Sequence, residues 1–350
     1  MRGPGSARAV SDGFTWAKIG AAVDADGMGN DRPTAPPLPG GIGDTWFADG
    51  DGESVAFGQL GSNEQRIVRV EGGWTSNVAG DLVAVSESDG SGGAVLRLWS
   101  ASRGEPVADL AALRGMTQIP AWVDGTHEQV VYLSLTALRT LDIHLVGFDG
   151  TGDRVVASSG ALNDLQGVLA LDDSSFVLHW CPVAGDCIRT VVDLGTGVVT
   201  GIPYGRGSFC QLGGLADGHL AGMAAPCEGR LSVEALDGSG RVEVGGGAGQ
   251  AAMIDGPEGA RLVVLDVGET ESVLWSYAPD GSDKREVTRF EHPGFANPYL
   301  SRVRIPVPGW VLMAADLSDA PTEFTDSPTP ELVNIVTGER IPLPNLPGPE

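Results

Sequence analysis

Asp193 to Gly197 reads D-L-G-T-G, and with Gly201 it approaches a phosphate-cradling dinucleotide loop. Such a loop holds an anion only when a helix starts directly after it, because the free N–H groups and dipole of the first turn do the binding. The residues after Gly197 are VVTGIPYGRG: β-branched side chains, a proline and two more glycines. No helix starts there, so the stretch is expected to be a hairpin turn, with Thr196-Gly197 supplying the positive backbone angles. Hydrolytic and nucleotide chemistry fare no better. The nearest approach to G-x-S-x-G is Gly52-Glu53-Ser54-Val55-Ala56, again with no helix to form a nucleophile elbow. Neither lysine, Lys18 or Lys284, follows a glycine, so a P-loop is excluded.

Metal chemistry has no strong local signature. His127, His144, His179, His219 and His292 are scattered without an H-x-H or H-E-x-x-H spacing. His144 alternates with apolar neighbours in LDIHLVGF and reads as a hydrogen-bonded strand residue. The stretch DADGMGNDR offers calcium oxygen donors at Asp24, Asp26, Asn30 and Asp31, with Met28 where a ligand would stand. An ordinary acidic turn is the expected reading, so no cofactor is expected, and calcium is the alternative. Cys181 and Cys187 flank PVAGD, and Cys210 and Cys227 follow in the next segment. Neither pair is C-x-x-C, and two local disulfides are expected, implying an oxidising, extracytoplasmic compartment.

The elements that must position these residues are β-rich. Among 350 residues there are 52 glycines and 23 prolines, which favours many turns over helices. With 22 basic against 46 acidic residues, the net charge is −24, which repels nucleic acid. No run of 18 apolar residues is present, so no transmembrane segment is expected, and MRGPGSARAVSDG does not read as a signal peptide.

A hairpin plan recurs along the chain in 96–110, 145–158, 189–202, 231–244, 273–288 and 332–343, with a weaker copy at 65–76. Gly104, Gly152, Gly197 and Gly240 mark successive turns 48, 45 and 43 residues apart, the period of four-stranded propeller blades. Upstream of most hairpins lies an Asp-rich turn before an apolar strand, as in WFADGDGESVAFG (46–58) and WVDGTHEQVVYLS (122–134). Such a unit buries its two apolar faces only by packing on neighbouring copies.

LRLWSASRGEPVADL resembles the closing hairpin of a WD-repeat blade, with Trp99-Ser100 in place of Trp-Asp. FADGDGESVAF resembles the S-P-D-G-x-x-[IV]-A-F element of TolB-type propellers. The resemblance implies a β-propeller and carries over no catalytic residue; counting the repeats gives an all-β ring of seven blades of four antiparallel strands, with six or eight blades as the alternatives. The expected blades are 44–75, 76–117, 118–163, 164–207, 208–249, 250–293 and 294–346, followed by a tail at 347–350. Residues 1–43 form an N-terminal segment and linker, in which 13–23 is apolar enough to dock as the outer strand closing the last blade. SDGFTW (11–16) looks like a damaged Asp-box of sialidase-like propellers. Trp46, Trp122, Trp180, Trp275 and Trp310 are expected between blades rather than around a ligand.

With no motif surviving its structural test, the expected function is a non-catalytic binding or scaffold module, probing a protein or small ligand at one face and acting as a monomer. The least generic surfaces are 13–31 and the polar insertion 316–330. The alternative is a propeller enzyme acting on carbohydrate, a glycoside hydrolase or lyase with channel-facing carboxylates.

Overall fold

Alternating apolar residues on short strands, broken by Gly, Asp and Ser turns, produce successive antiparallel meanders arranged as a seven-bladed β-propeller. The computed structural model describes residues 38–343, apart from 51–53, 63–64, 71–73, 91–92, 114–116, 136–139, 171–173, 183–187, 204–208, 225–229, 247–249, 294–296, 301–304, 306 and 317–329. After a short 3-10 helix (Pro39–Asp44), the first blade holds β1 (Trp46–Gly50), β2 (Ser54–Gln59) and β3 (Gln65–Arg69). The second holds β4 (Trp74–Ala79), β5 (Leu82–Ser88), β6 (Ala94–Ser100) and β7 (Glu105–Leu113).

The third blade runs through β8 (Thr117–Asp124), β9 (Gln129–Leu135), β10 (Thr140–Gly147) and the first part of β11 (Arg154–Ala170). β11 then continues without a break as the first strand of the fourth blade, pairing from Leu162 onward with β12 (Ser175–Pro182). That blade is completed by β13 (Ile188–Asp193) and β14 (Val199–Pro203). The fifth contains β15 (Phe209–Ala216), β16 (His219–Ala224), β17 (Arg230–Ala235) and β18 (Val242–Gly246). The sixth contains β19 (Gln250–Gly256), β20 (Gly259–Val267), β21 (Glu271–Tyr277) and β22 (Arg285–Glu291). The seventh contains β23 (Asn297–Leu300), β24 (Trp310–Asp316), β25 (Glu331–Asn334) and β26 (Arg340–Pro342).

The core lies in the seams between blades. Val55 and Phe57 of the first blade pack on Val83, Val85 and Trp99 of the second. Leu96, Leu98 and Leu110 meet Val130 and Tyr132 of the third, and Leu133 and Ile143 meet Phe176 and Leu178 of the fourth. The ring closes where Ile42, Phe47 and Leu60 pack on Trp310, Leu312 and Leu332 of the last blade. Each fully buried side chain of this kind contributes about 1.5–3 kcal/mol. Trp310 belongs to this core, and Trp46, Trp122 and Trp275 pack against other seams, as expected for blade-to-blade contacts. The side chain of Trp180 lies outside the described residues.

Polar groups lace the seams together. On β4, Asn77 accepts from Val123 N–H (2.6 Å) and donates to Val123 C=O (3.2 Å), imitating a strand neighbour for β8. Between the fourth and fifth blades, Arg189 forms an ion pair with Glu234 and donates from Nη1 to Leu236 C=O at 2.9 Å. Both side chains are almost completely buried, and Arg241 Nε stands 3.7 Å from the same carboxylate. Burial disfavours both charges: it pushes the Glu234 carboxyl up to about 7, against the pull of Arg241, and Arg189 down to about 10. Removing one partner strands the other in the seam. We therefore expect Glu234→Gln to destabilise the fold by about 3–5 kcal/mol, whereas replacing both Arg189 and Glu234 with leucine recovers most of that loss. Urea unfolding midpoints at constant m-value measure both effects.

Candidate functional site

In a four-strand meander the first-to-second and third-to-fourth connections share one end of the blade. At that end, the described third-to-fourth turns are built by the short polar residues that the sequence concentrates there. Asp193 accepts from Thr196 N–H at 2.7 Å and from its hydroxyl at 2.6 Å, while Gly197 takes a φ of 69° and donates to Asp193 C=O. β14 begins two residues later, so the D-L-G-T-G stretch is a hairpin turn and no phosphate loop. Asp149, Asp237 and Asp280 hold their own turns in the same way, through Thr151, Ser239 and Ser282. The residue after the third strand also donates to the first turn of its own blade, as in Ala101 to Asp81 and Leu194 to Ser174.

Two histidine clusters carry chemistry. In the first, Asp124 ends β8 and is buried. Its Oδ1 accepts from the N–H groups of Thr126 (3.0 Å) and His127 (3.2 Å). Its Oδ2 accepts from Gln129 Nε2 at 3.0 Å and lies 2.7 Å from His127 Nδ1. Gln129 Nε2 also reaches Leu194 C=O at 2.6 Å, tying this turn to the fourth blade. The His127 side chain is 35% exposed, and its Nε2 edge rests over Gly195, where an added Cβ would sit 3.2 Å away. On the other side of the same turn, the exposed Arg154 guanidinium covers Gly197 closely enough that a Cβ there would collide with it. The buried carboxylate at Nδ1 orients the imidazole and turns Nε2 toward Gly195. Asp193, Asp124, His127 and Arg154 thus gather two carboxylates, a histidine and an arginine around one turn.

In the second cluster, His144 Nε2 is 3.1 Å from Ser134 Oγ, and its Nδ1 is 3.1 Å from Asp153 Oδ1 and 3.0 Å from the Tyr132 hydroxyl. Tyr132 stacks on the ring at 4.4 Å and donates to Asp153 at 2.8 Å. The spacing is that of a Ser-His-Asp triad, yet Ser134 and Tyr132 are wholly inaccessible in the seam between the second and third blades. A nucleophile that no substrate reaches does no catalysis. Burial and Asp153 hold the Tyr132 phenol far above its ordinary range, consistent with a fixed neutral donor. His144 is therefore the hydrogen-bonded strand residue that the sequence suggested.

The other sequence candidates are dispersed. Ser54 opens β2, so the G-x-S-x-G look-alike is strand. His219 Nδ1 meets Asp217 C=O at 2.8 Å, and His292 pairs with Ser272 Oγ at 2.9 Å on another blade. His179 and Cys181 fall in β12 and Cys210 in β15, but their side chains, with Cys187 and Cys227, lie outside the described residues. So do Asp24, Asp26, Asn30 and Asp31 of the calcium-like loop and residues 11–16 of the Asp-box look-alike. Among the described residues, no three His, Cys, Asp or Glu side chains converge to hold a metal, and no helix is long and apolar enough to cross a membrane. Sequence reading passed over the Asp124–His127 pair, although D-G-T-H, with its i to i+3 spacing in a turn, was its signal.

No protein-family model matches the chain, and no curated protein matches it. Solved structures do. An oligogalacturonate lyase in complex with manganese is similar over 85% of this chain and 83% of its own, at 14% identity and a TM-score of 0.50. A second oligogalacturonate lyase, from Vibrio parahaemolyticus, is similar over 85% and 84%, at 13% identity and a TM-score of 0.51. A prolyl endopeptidase is matched over 85% of this chain but 49% of its own, at 13% identity and a TM-score of 0.56, so this chain spans about half its length. At these identities the likeness is one of fold. The expectation of a non-catalytic scaffold is nevertheless corrected, because these neighbours are enzymes and the alternative of a propeller enzyme accords with them better.

The turn aspartates generate a pH prediction. Hydrogen bonds from Thr and Ser hold Asp149, Asp193, Asp237 and Asp280 below the usual carboxylate range. A depressed folded-state pKa gives stability that is present above the unfolded value near 3.9 and lost as pH falls through the folded one. Thermal unfolding midpoints are expected to drop as pH falls below about 4, and less steeply after combined Asp→Asn substitution at these four positions.

Proposed function

We propose that this chain is a propeller enzyme that acts on carbohydrate, as a lyase, with His127 as the proton-transfer group. The observation that carries the reading is the Asp124–His127 pair: a partly exposed imidazole, oriented by a buried and hydrogen-bonded carboxylate, at a turn. Oligogalacturonate lyases among the neighbours of similar fold support the reading.

Elimination suits this residue set better than hydrolysis. Glycoside hydrolysis ordinarily works through two carboxyl groups facing one bond, and Asp124 is committed to four hydrogen-bonding contacts while Asp193 is engaged by its own turn. For elimination, one base removes the proton next to the carboxylate of a uronic acid. The electron pair left behind becomes a carbon–carbon double bond, the glycosidic C–O bond breaks, and the departing oxygen takes up a proton. His127 Nε2 supplies the base, Asp124 positions it, and Arg154 offers positive charge to the substrate carboxylate. Arg154 also counters locally a net charge of −24 that opposes anionic chains at long range. The manganese named with one lyase has no counterpart among the described residues, and no step here passes through a metal.

The test is turnover on a panel of uronate-containing and neutral oligosaccharides, followed by the ultraviolet absorbance of the unsaturated product. Uronate substrates are expected to react, and His127→Gln to lower kcat/KM by about 10²–10⁴-fold with the fold intact. Asp124→Asn is expected to displace the pH profile as well, because it disturbs the tautomer. Full activity in His127→Gln, or no turnover on any glycan, overturns the reading.

An extracytoplasmic location with Cys181–Cys187 and Cys210–Cys227 disulfides belongs to the same proposal. It is supported by the even cysteine count and the local spacing. Alkylation of the denatured, unreduced protein is expected to label no cysteine, and labelling of all four refutes the pairing.

A further inference from the structure

The candidate site is built across a seam, and one side chain spans it. His127 lies in the turn between β8 and β9 of the third blade. Asp193 ends β13 of the fourth blade, and Gly195 and Gly197 lie in the turn that follows. Each turn is closed within itself, Asp193 on Thr196 and Gly197, Asp124 on Thr126 and His127. The half-buried Gln129 joins them. Its Nε2 donates to Asp124 Oδ2 at 3.0 Å and to Leu194 C=O at 2.6 Å. One amide group, with its two hydrogens, thus holds both the carboxylate behind His127 and the backbone of the opposite turn.

The direction of that side chain is set locally. Glu128 takes a φ of 53°, a left-handed conformation uncommon for a residue with a Cβ, and its C=O accepts from Phe148 N–H at 2.9 Å. The bend makes Gln129 the first residue of β9, opposite Asp124 in the β8–β9 register. Seam packing in general does not call for an amide at this position. The second strands of the other four-strand blades open with Leu82, Ser175, His219, Gly259 and Trp310. None of these carries an amide side chain, so Gln129 goes with the site rather than with the repeat.

We propose that Gln129 is a positioning residue of the candidate site, seating the fourth-blade turn at its working distance from the His127 ring. The proposal rests on the lyase reading for its kinetic consequence alone. With the bridge in place, a Cβ at Gly195 would lie 3.2 Å from His127 Nε2 and 3.8 Å from its Cε1, so the ring edge touches that turn. Arg154, from β11, covers the other side of the turn at Gly197. The turn thus separates the base from the cationic group, and its seat decides how the two stand to each other. Gln129 touches neither reacting atom. Loss of the bridge is expected to disturb alignment and to spare affinity, because rate depends on placement within about 1 Å more steeply than binding does.

The test uses the full-length chain with two variants. Gln129→Met keeps length and volume without an amide, and Gln129→Asn has an amide one carbon too short to reach both acceptors. Gln250→Met is the matched reference, because Gln250 Oε1 accepts from Leu300 N–H at 2.8 Å across the seam between the sixth and seventh blades. Two readouts are taken: the nuclear Overhauser contact between His127 Hε1 and Gly195 Hα, and steady-state kinetics on the uronate panel. Both Gln129 variants are expected to lose the contact and to lower kcat by about 10–100-fold, with KM changed by no more than about twofold. Gln250→Met is expected to keep both the contact and the native kcat. A contact that survives in both Gln129 variants overturns the proposal. So does a kcat no lower than that of Gln250→Met in a protein that turns over uronates. If no glycan is turned over, the lyase reading falls, and loss or survival of the proton contact alone decides whether Gln129 seats the turn.

Discussion

Each blade is apolar on both faces, and no blade can bury both without a neighbour on either side. That constraint makes the ring obligatory and puts the core between sheets rather than inside any one of them. The seam where Ile42, Phe47 and Leu60 meet Trp310, Leu312 and Leu332 is the closing case, since without it the first and last blades would each leave a face in water. Chain-distant residues are joined there, so ring stability depends on both ends of the described chain at once.

The same constraint explains where polar groups sit. Buried seams favour polar side chains whose donors and acceptors find partners, and Asn77 does so by imitating a peptide group against Val123. The Tyr132–Ser134–His144–Asp153 cluster does so by pairing inward, and so it has the distances of a catalytic triad without access to a substrate. His127 differs by one feature. Its partner Asp124 is buried, but the ring itself lies at a turn where solvent reaches it. Accessibility, rather than hydrogen-bond geometry, separates the two histidines.

Fold-level likeness and site-level chemistry thus carry different weight. Chains of nearly the same length, and half of a longer one, share this architecture, and the architecture alone selects no reaction. The acidic surface and the loose identity leave the chemistry to be argued from one turn, where Gly195 lets the His127 ring approach and Gly197 lets Arg154 lie flat across the chain.

The hairpin period, the Asp-capped turns and the absence of a helix after Gly197 were all legible in the sequence. They depend on local backbone preference and two-residue alternation, which neighbouring residues decide among themselves. The seven-blade count followed from the same repeats. The unbroken β11, shared by two blades, did not show, because a strand that changes partners midway has no turn residue to mark it. Nor did the Asp124–His127–Asp193 grouping, since Asp193 comes from the next blade and reaches His127 only when two sheets pack. Local chemistry wrote the strands and corners, whereas which side chains met across a seam, and which stayed open to solvent, was settled only by the closing of the ring.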